Sequence, residues 1–299
     1  MSADAAAGLR QSFARLSPAF VRKSVRMAEH YGRRQRDWFR LLRAAHGHGT
    51  ADRMALAASA AAAPLTALRH LDGYGSPVLL RDIRIEVADV GTFVLRRGTD
   101  DPIHVIRERE PHVWAVLRER LGAGDTFVDA GANIGFYSLR AARLVGQGGK
   151  VVAIEMMPQT AASLRRNLQA SGVRNVSVVE RALAARNGDL VEASADPAKL
   201  GQASIAFGSD GARSLTVEVE TARLDTLIPD GRVALLKMDL EGAEYDALVG
   251  AERLLGRVGA IVFESNGEDR RIIDLLTARG FSVRHLADHD YLATNEHAR

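Results

Sequence analysis

Hydrophobic positions change their spacing twice along this chain. From Leu9 to about Leu71 apolar residues recur at helical intervals in an Ala-, Leu- and Arg-rich segment, broken by "HGHGT" at His46 to Thr50 and by Pro64; this predicts a helical arm or lid over residues 1–75. From Val78 β-branched residues take over in "PVLLRDIRIEVADVGTFVLRRG", which reads as two or three short strands turned at Asp89 to Gly91. "EPHVWAVLRERLGAGD" follows as a helix, with Pro111 in its first turn and Gly122 after its last apolar residue. Residues 76–124 thus form a β lead-in and a helix.

After Asp125 strand and helix alternate. "TFVDA" meets a glycine loop and the helix "FYSLRAARLV"; "KVVAIE" meets Pro158 and a helix ending near Gly172; "NVSVVERAL", "SLTVEVETARL", "VALLKMDL" and "AIVFES" supply further extended runs. Core strands that are continuously apolar, separated by helices, predict an α/β domain over 125–299 with a parallel sheet covered on both faces. The end, "FSVRHLADHDYLAT", predicts two strands joined at Asp288 to Asp290.

Composition narrows the picture. At 299 residues the chain suits one large domain with an appendage, or two domains. It has no cysteine, which excludes disulfides and thiolate metal sites and fits a reducing compartment. The alanine-rich run from Ala55 to Leu68 is broken by Ser59 and Pro64 and is too weakly apolar to span a bilayer, and the N-terminus carries no apolar leader. The expectation is a soluble, cytoplasmic protein without a membrane partner.

Net charge is +3, but Arg10, Arg15, Arg22, Lys23, Arg26, Arg33, Arg34, Arg36, Arg40 and Arg43 face only Asp4, Glu29 and Asp37. Such a basic arm could attract nucleic acid, an anionic substrate or a partner protein, although a solvated helix face is the plainer reading. Aromatic residues are not interleaved with the arginines, which argues against a single-strand nucleic-acid surface.

The loop "FVDAGANIGFYSL" places Asp129 at a strand end, then Gly131, Asn133 and Gly135 in a tight turn that opens a helix. Glycines let the backbone approach a ligand, and the helix start offers unpaired N–H groups. An ordinary βα turn would use glycine in the same way. The third glycine of a dinucleotide fingerprint is missing, and Asp129 puts a carboxylate where a pyrophosphate would lie. A carboxylate repels phosphate but suits an ammonium. Glu155 ends the second strand, where an acid takes ribose hydroxyls. The two acids together favour S-adenosylmethionine.

Lys237 and Asp239 stand two apart where "VALLKMDL" ends, so they project to one side at the carboxyl end of a core strand, where α/β sheets bind ligands. The chain has only four lysines, so one inside an apolar run carries weight. A proton-handling pair and a structural ion pair both fit. Glu241 and Glu244 follow at the start of a helix; capping suits Glu244, whereas Glu241 could face a substrate.

On "VDAGANIGFYSL", the acid of "AIEMMP", "TARLDTL" and "LLKMDLEGAEYDALVGAERLL", the chain resembles the FkbM-type methyltransferases, a branch of the class I S-adenosylmethionine-dependent enzymes, over roughly Pro102 to Glu264. It departs from the family where Met156 and Met157 separate Glu155 from Pro158. The resemblance implies a Rossmann-like sheet of seven strands whose last two are antiparallel, and methylation of hydroxyls on sugars and natural products. It also implies that Asp129, Gly131, Asn133, Gly135 and Asp239 surround the methionine part of the cofactor, that Glu155 with Met156 takes the ribose side, and that the backbone at Arg181 and Ala182 lies by the adenine.

Oxygen methylation needs an aligned acceptor and a group that takes its proton. Asp239 or a neutral Lys237 is the expected acceptor, with His104 and His112 as rival bases and Glu241, His112 and Glu264 facing the substrate. A magnesium held by Asp239, Glu264 and Asn266 is an alternative. Methylation of an amine, an RNA methyltransferase and a non-catalytic nucleotide-binding module remain as other readings. The arm could also serve as a homodimer contact.

Overall fold

The protein is described by a computed structural model covering residues 18–69, 76–106, 108–196, 198, 203, 215–265 and 270–295. Its centre is a seven-stranded sheet of β4 (Thr126–Ala130), β5 (Lys150–Ile154), β6 (Val176–Val179), β10 (Val233–Met238), β11 (Val258–Glu264), β12 (Ser282–Ala287) and β13 (Asp290–Thr294). The order is β12-β13-β11-β10-β4-β5-β6; the five strands from β11 to β6 pair in parallel, and β13 is antiparallel to both its neighbours. This is the sheet expected from the sequence, antiparallel final pair included.

Side chains alternate across each strand, so the sheet has two cores. Phe127, Val151, Leu235 and Val262 pack on one face against α5 (Pro111–Arg120) and α6 (Phe136–Val145). Val128, Ile154, Leu236 and Phe263 pack on the other against α9 (Glu244–Val249) and α10 (Arg271–Ala278). Between them β4 has β5 on one side and β10 on the other. The chain therefore leaves the sheet in opposite directions from β4 and β10, and a crevice opens at their carboxyl ends.

The described residues between Pro18 and His104 build a second layer. Helix α1 (Pro18–Ala44) runs into β1 (Ala45–Gly47), followed by α2 (Thr50–Ala61), α3 (Ala63–Arg69), β2 (Ile83–Val87), β3 (Gly91–Leu95) and the short α4 (Asp101–His104). The turn at Asp89 to Gly91 joins β2 to β3 as the pattern predicts, with Asp89 left-handed at φ 61°. "HGHGT", in contrast, is more than a break between helices: Ala45 to Gly47 pair with Val87 to Ile85 as the third strand of the lead-in sheet. Two long-range bonds join this layer to α7 (Pro158–Ala170) and the residue after it: Val94 N–H donates to Asn167 Oδ1 at 2.8 Å and Thr92 N–H to Ser171 Oγ at 2.9 Å. Trp38, Leu41, Ile85 and Phe93 share one core with Ile134, Phe136 and Leu164, so Trp38 and Leu41 of the arm are packed toward α6 and α7.

"NVSVVERAL" splits. β6 stops at Val179, and Ala182–Leu183 (β7) joins a separate small sheet with β8 (Leu190–Ala195) and β9 (Leu215–Ala222). The four-residue helix α8 (Leu224–Leu227) then leads back toward β10. Among the described residues no helix is long and apolar enough to cross a membrane.

Candidate active site

The crevice between β4 and β10 is a cleft of about 420 Å³ including its open mouth, and its lining brings His104, Gly131, Asn133, Lys237 and Asp239 together. The sequence had placed each of these at the site from separate segments. Its floor is fixed by backbone. Gly131 has φ +80°, and a Cβ there would lie 1.8 Å from the carbonyl oxygen of Asp239, so only glycine lets the loop press against the β10 tip. Gly135, at φ +93°, has a different job: a Cβ would meet Leu164 Cδ1 at 2.3 Å, which makes it a packing contact between α6 and α7.

Asn133 is left-handed at φ 48°, and its N–H donates to Glu155 Oε2 at 2.9 Å. Met157 N–H donates to the other Glu155 oxygen at 2.9 Å. Burial still dominates and pushes the Glu155 carboxyl up to about 7. Met156 packs against the small cluster that contains Ala182 and Met157. The Arg181 side chain turns away from this neighbourhood to Glu220, 3.1 Å from its Oε2.

Lys237 is 4% exposed. Its Nζ donates to Asp239 Oδ2 at 3.2 Å, stands 5.1 Å from the Tyr137 ring centre, and lies opposite Asp129 in the β10–β4 register. Burial works to lower a lysine pKa, but Asp239, Asp129 and Glu110 outweigh it and hold Lys237 above its ordinary value. The expected neutral Lys237 is therefore corrected: three carboxylates keep it an ammonium. Burial likewise pushes Asp239 up, and Lys237 and Arg109 overcome it, leaving Asp239 ionised below the usual range with its side chain 37% exposed toward the cleft.

Arg109, Glu110 and Tyr137 also line the cleft, and sequence reasoning passed over all three. "RERE" before Pro111 looks like surface charge, and Tyr137 is one aromatic in a helix; only their proximity to the loop could have marked them. Tyr137 Oη donates to Glu110 Oε2 at 2.7 Å, and Arg109 Nε donates to Glu110 Oε1 at 2.7 Å. Arg109 Nη1 lies 3.0 Å from His104 Nδ1, and His104 Nε2 lies 3.2 Å from Asp100 Oδ2. Since a guanidinium can only donate, Nδ1 accepts and the Nε2–H faces Asp100. Both His104 nitrogens are thus engaged, which weakens it as a rival base.

His112 is not in the cleft lining; its Nε2 lies 2.6 Å from Oδ2 of Asp290, the first residue of β13. Glu264 faces Asp290 in the β11–β13 register, and burial together with the charges of Asp239, Glu241 and Asp290 raises Glu264 to about 7. Glu241 is left-handed at φ 51° in the turn after β10. Glu244 closes that turn, accepting from Leu240 N–H at 2.7 Å and Gly242 N–H at 3.1 Å, a structural use in which it ties down the turn before the helix rather than capping the helix's own N–H groups. Among the described residues no three His, Asp or Glu side chains are grouped so as to hold a metal ion. Asn266, the third member of the magnesium option, lies outside the described residues.

The loop fits the amino-acid end of the expected cofactor. Asp129 Oδ1 and Asn133 Oδ1 are buried acceptors with no hydrogen-bond partner among the described residues, while Asp129 Oδ2 is held by Ser138 Oγ at 2.6 Å. Orphaned buried acceptors beside a glycine cradle suit an ammonium donor.

The family is given by a domain match. The model of the methyltransferase FkbM domain matches residues 129–283, which run from the end of β4 to the start of β12. The chain is 37% identical over 73 residues to a probable cobalt-precorrin-6B C(15)-methyltransferase (decarboxylating) from Sulfolobus acidocaldarius, covering 24% of this chain and 38% of the relative. It is 37% identical over 71 residues to protein-L-isoaspartate O-methyltransferase 2 from Archaeoglobus fulgidus, covering 23% and 32%. A "Methyltransferase 1" from Beauveria bassiana is 28% identical over 185 residues, covering 53% and 73%. The chain spans only about a third of the length of the first two. Among solved structures, an FkbM methyltransferase from Methylobacillus flagellatus superposes with a TM-score of 0.41 at 20% identity, over 58% of this chain and 44% of that one. With the domain match spanning more than half of its residues, the chain belongs to the FkbM methyltransferase family.

Proposed function

We propose that the protein is an S-adenosylmethionine-dependent O-methyltransferase whose acceptor is a hydroxyl of a small molecule, a sugar unit or a natural-product intermediate. The cofactor, when bound, supplies an electrophilic methyl group on a sulfonium. Gly131 and Asn133 would receive its amino-acid end, with Asp129 and Asn133 as acceptors, and Glu155 would take its ribose. His104, Arg109 and Glu110 line the cleft beside the loop and would help to exclude water from it.

The observation that carries the oxygen assignment is the Lys237–Asp239 pair, a buried ammonium beside an ionised carboxylate that opens into the cleft. Asp239 Oδ can accept a hydrogen bond from an acceptor hydroxyl, align its oxygen, and take its proton as the O–C bond forms. Lys237 stays charged and holds Asp239 in place. The relatives do not choose the atom, since one is named for a carbon position and another for oxygen.

The test is a screen for adenosylhomocysteine release over hydroxyl and amine acceptors. Hydroxyl acceptors should turn over, and Asp239→Asn should lower kcat about 10²–10⁴-fold while cofactor-product affinity changes less than about tenfold. Turnover of amines alone would overturn the oxygen assignment.

A further inference from the structure

The exposed face of α1 forms an open groove of about 1040 Å³ lined by Gln35, Arg36, Phe39, Arg40, Arg43 and Glu108. A merely solvated helix face intersperses acids with its arginines at i, i+4. Here Asp37, the one acid among the helix residues whose side chains are described, points inward and is 5% exposed, whereas Arg36, Phe39, Arg40 and Arg43 all point out. Phe39 is 60% exposed, with the Arg43 guanidinium 5.5 Å from its ring centre. Arg40 reaches back to Asp37 at 3.5 Å; among the described residues Arg36 and Arg43 have no carboxylate partner.

This groove adjoins the catalytic cleft. Glu108 on its rim is followed directly by Arg109 and Glu110, which line the cleft. Buried Asp37 feels the positive charges of Arg40, Arg36 and Arg33 from its own helix and of Arg109 from the cleft wall, so the two surfaces share one electrostatic neighbourhood. Helix α1 also packs against α4, which carries His104.

We infer that the groove binds a phosphate group of the methyl acceptor, so that the substrate is a phosphorylated, hydroxylated small molecule whose phosphate lies on Arg36, Arg40 and Arg43 while its hydroxyl reaches Asp239. Guanidinium forks match phosphate oxygens in geometry and charge, and an exposed aromatic face beside them suits an apolar or ring portion between the two ends. The inference rests on the proposed function for its catalytic half and on the groove alone for its anion-binding half.

Calorimetry with inorganic phosphate, a hexose phosphate and the parent hexose tests it, on wild type, Arg36→Gln/Arg43→Gln and Asp239→Asn, with adenosylhomocysteine affinity and circular dichroism recorded on each. Inorganic phosphate and hexose phosphate should bind wild type, the parent hexose should bind at least about tenfold more weakly, and the double arginine variant should lose about tenfold or more for both phosphates while keeping its cofactor-product affinity. Phosphate affinity that is absent in wild type, or equal in wild type and the double variant, overturns the inference. So does arginine-dependent binding that grows with the length of an RNA oligonucleotide and exceeds that of phosphate. Failure of adenosylhomocysteine to bind would instead sink the methyltransferase reading, and the phosphate arms would still decide the groove.

Discussion

Two aspartates flank strand β10, and each contacts a cation, yet they do opposite work. Asp225, before the strand, is 2% exposed; it accepts from Leu254 N–H at 2.8 Å and Arg253 N–H at 3.0 Å and bonds the Arg223 guanidinium at 3.0 Å. Its oxygens are consumed in holding the turn into the 3₁₀ segment Leu254–Arg257 against α8. Asp239, after the strand, has Lys237 as its side-chain partner and opens toward the cleft. A saturated carboxylate is scaffold, whereas an ionised one with an open side, beside a glycine cradle, can do chemistry.

The sharpest way to break this contrast is to remove each charge. Asp239→Asn should raise the barrier to methyl transfer by about 3–5 kcal/mol with the fold intact; a variant that melts early with normal turnover would reverse the assignment. Glu155 lies between the two cases. Its folded value of about 7 lies above that of an exposed glutamate, about 4.3. The folded protein thus keeps a proton that the unfolded chain has released. Stability should fall by up to about 3 kcal/mol as pH rises from about 4.5 to about 7 and then level off. Urea unfolding of Glu155→Gln should show a shallower slope, with the share from Glu241 and Glu264, also held at about 7, remaining. Asp225→Ala should cost about 2–3 kcal/mol of stability, read from denaturant midpoints, because it strands two buried N–H donors, while adenosylhomocysteine affinity in the folded fraction stays unchanged. The smallest effect belongs to Arg181→Ala, which removes an exposed pair with Glu220; stability should move by less than about 1 kcal/mol, and cofactor affinity should not move, since the expected contact is by backbone.

The comparison also explains what the sequence could reveal. "VDAGANIG" and "LLKMDLEG" were legible because charged groups at strand ends interrupt strongly apolar runs, and the paired strands around Asp288 to Asp290 were legible from their turn. "TARLDTL" marked the family without revealing that Asp225 is structural, because its partners at Arg253 and Leu254 lie 28 and 29 residues away. Arg109 and Glu110 hid in a charged run whose place against the cleft depends on how the lead-in packs. β1 is only three residues long and takes its pairing from β2, so local periodicity carried no trace of it. The charge state of Lys237 also escaped the sequence, because two of the carboxylates that fix it, Asp129 and Glu110, come from other segments.

The most direct measurement is a crystal structure of the protein with adenosylhomocysteine. The account expects the amino-acid end over Gly131 and Asn133, the ribose at Glu155, and the sulfur turned toward the Asp239 carboxylate across the cleft. A ligand seated elsewhere, or a sulfur facing away from Asp239, would contradict it.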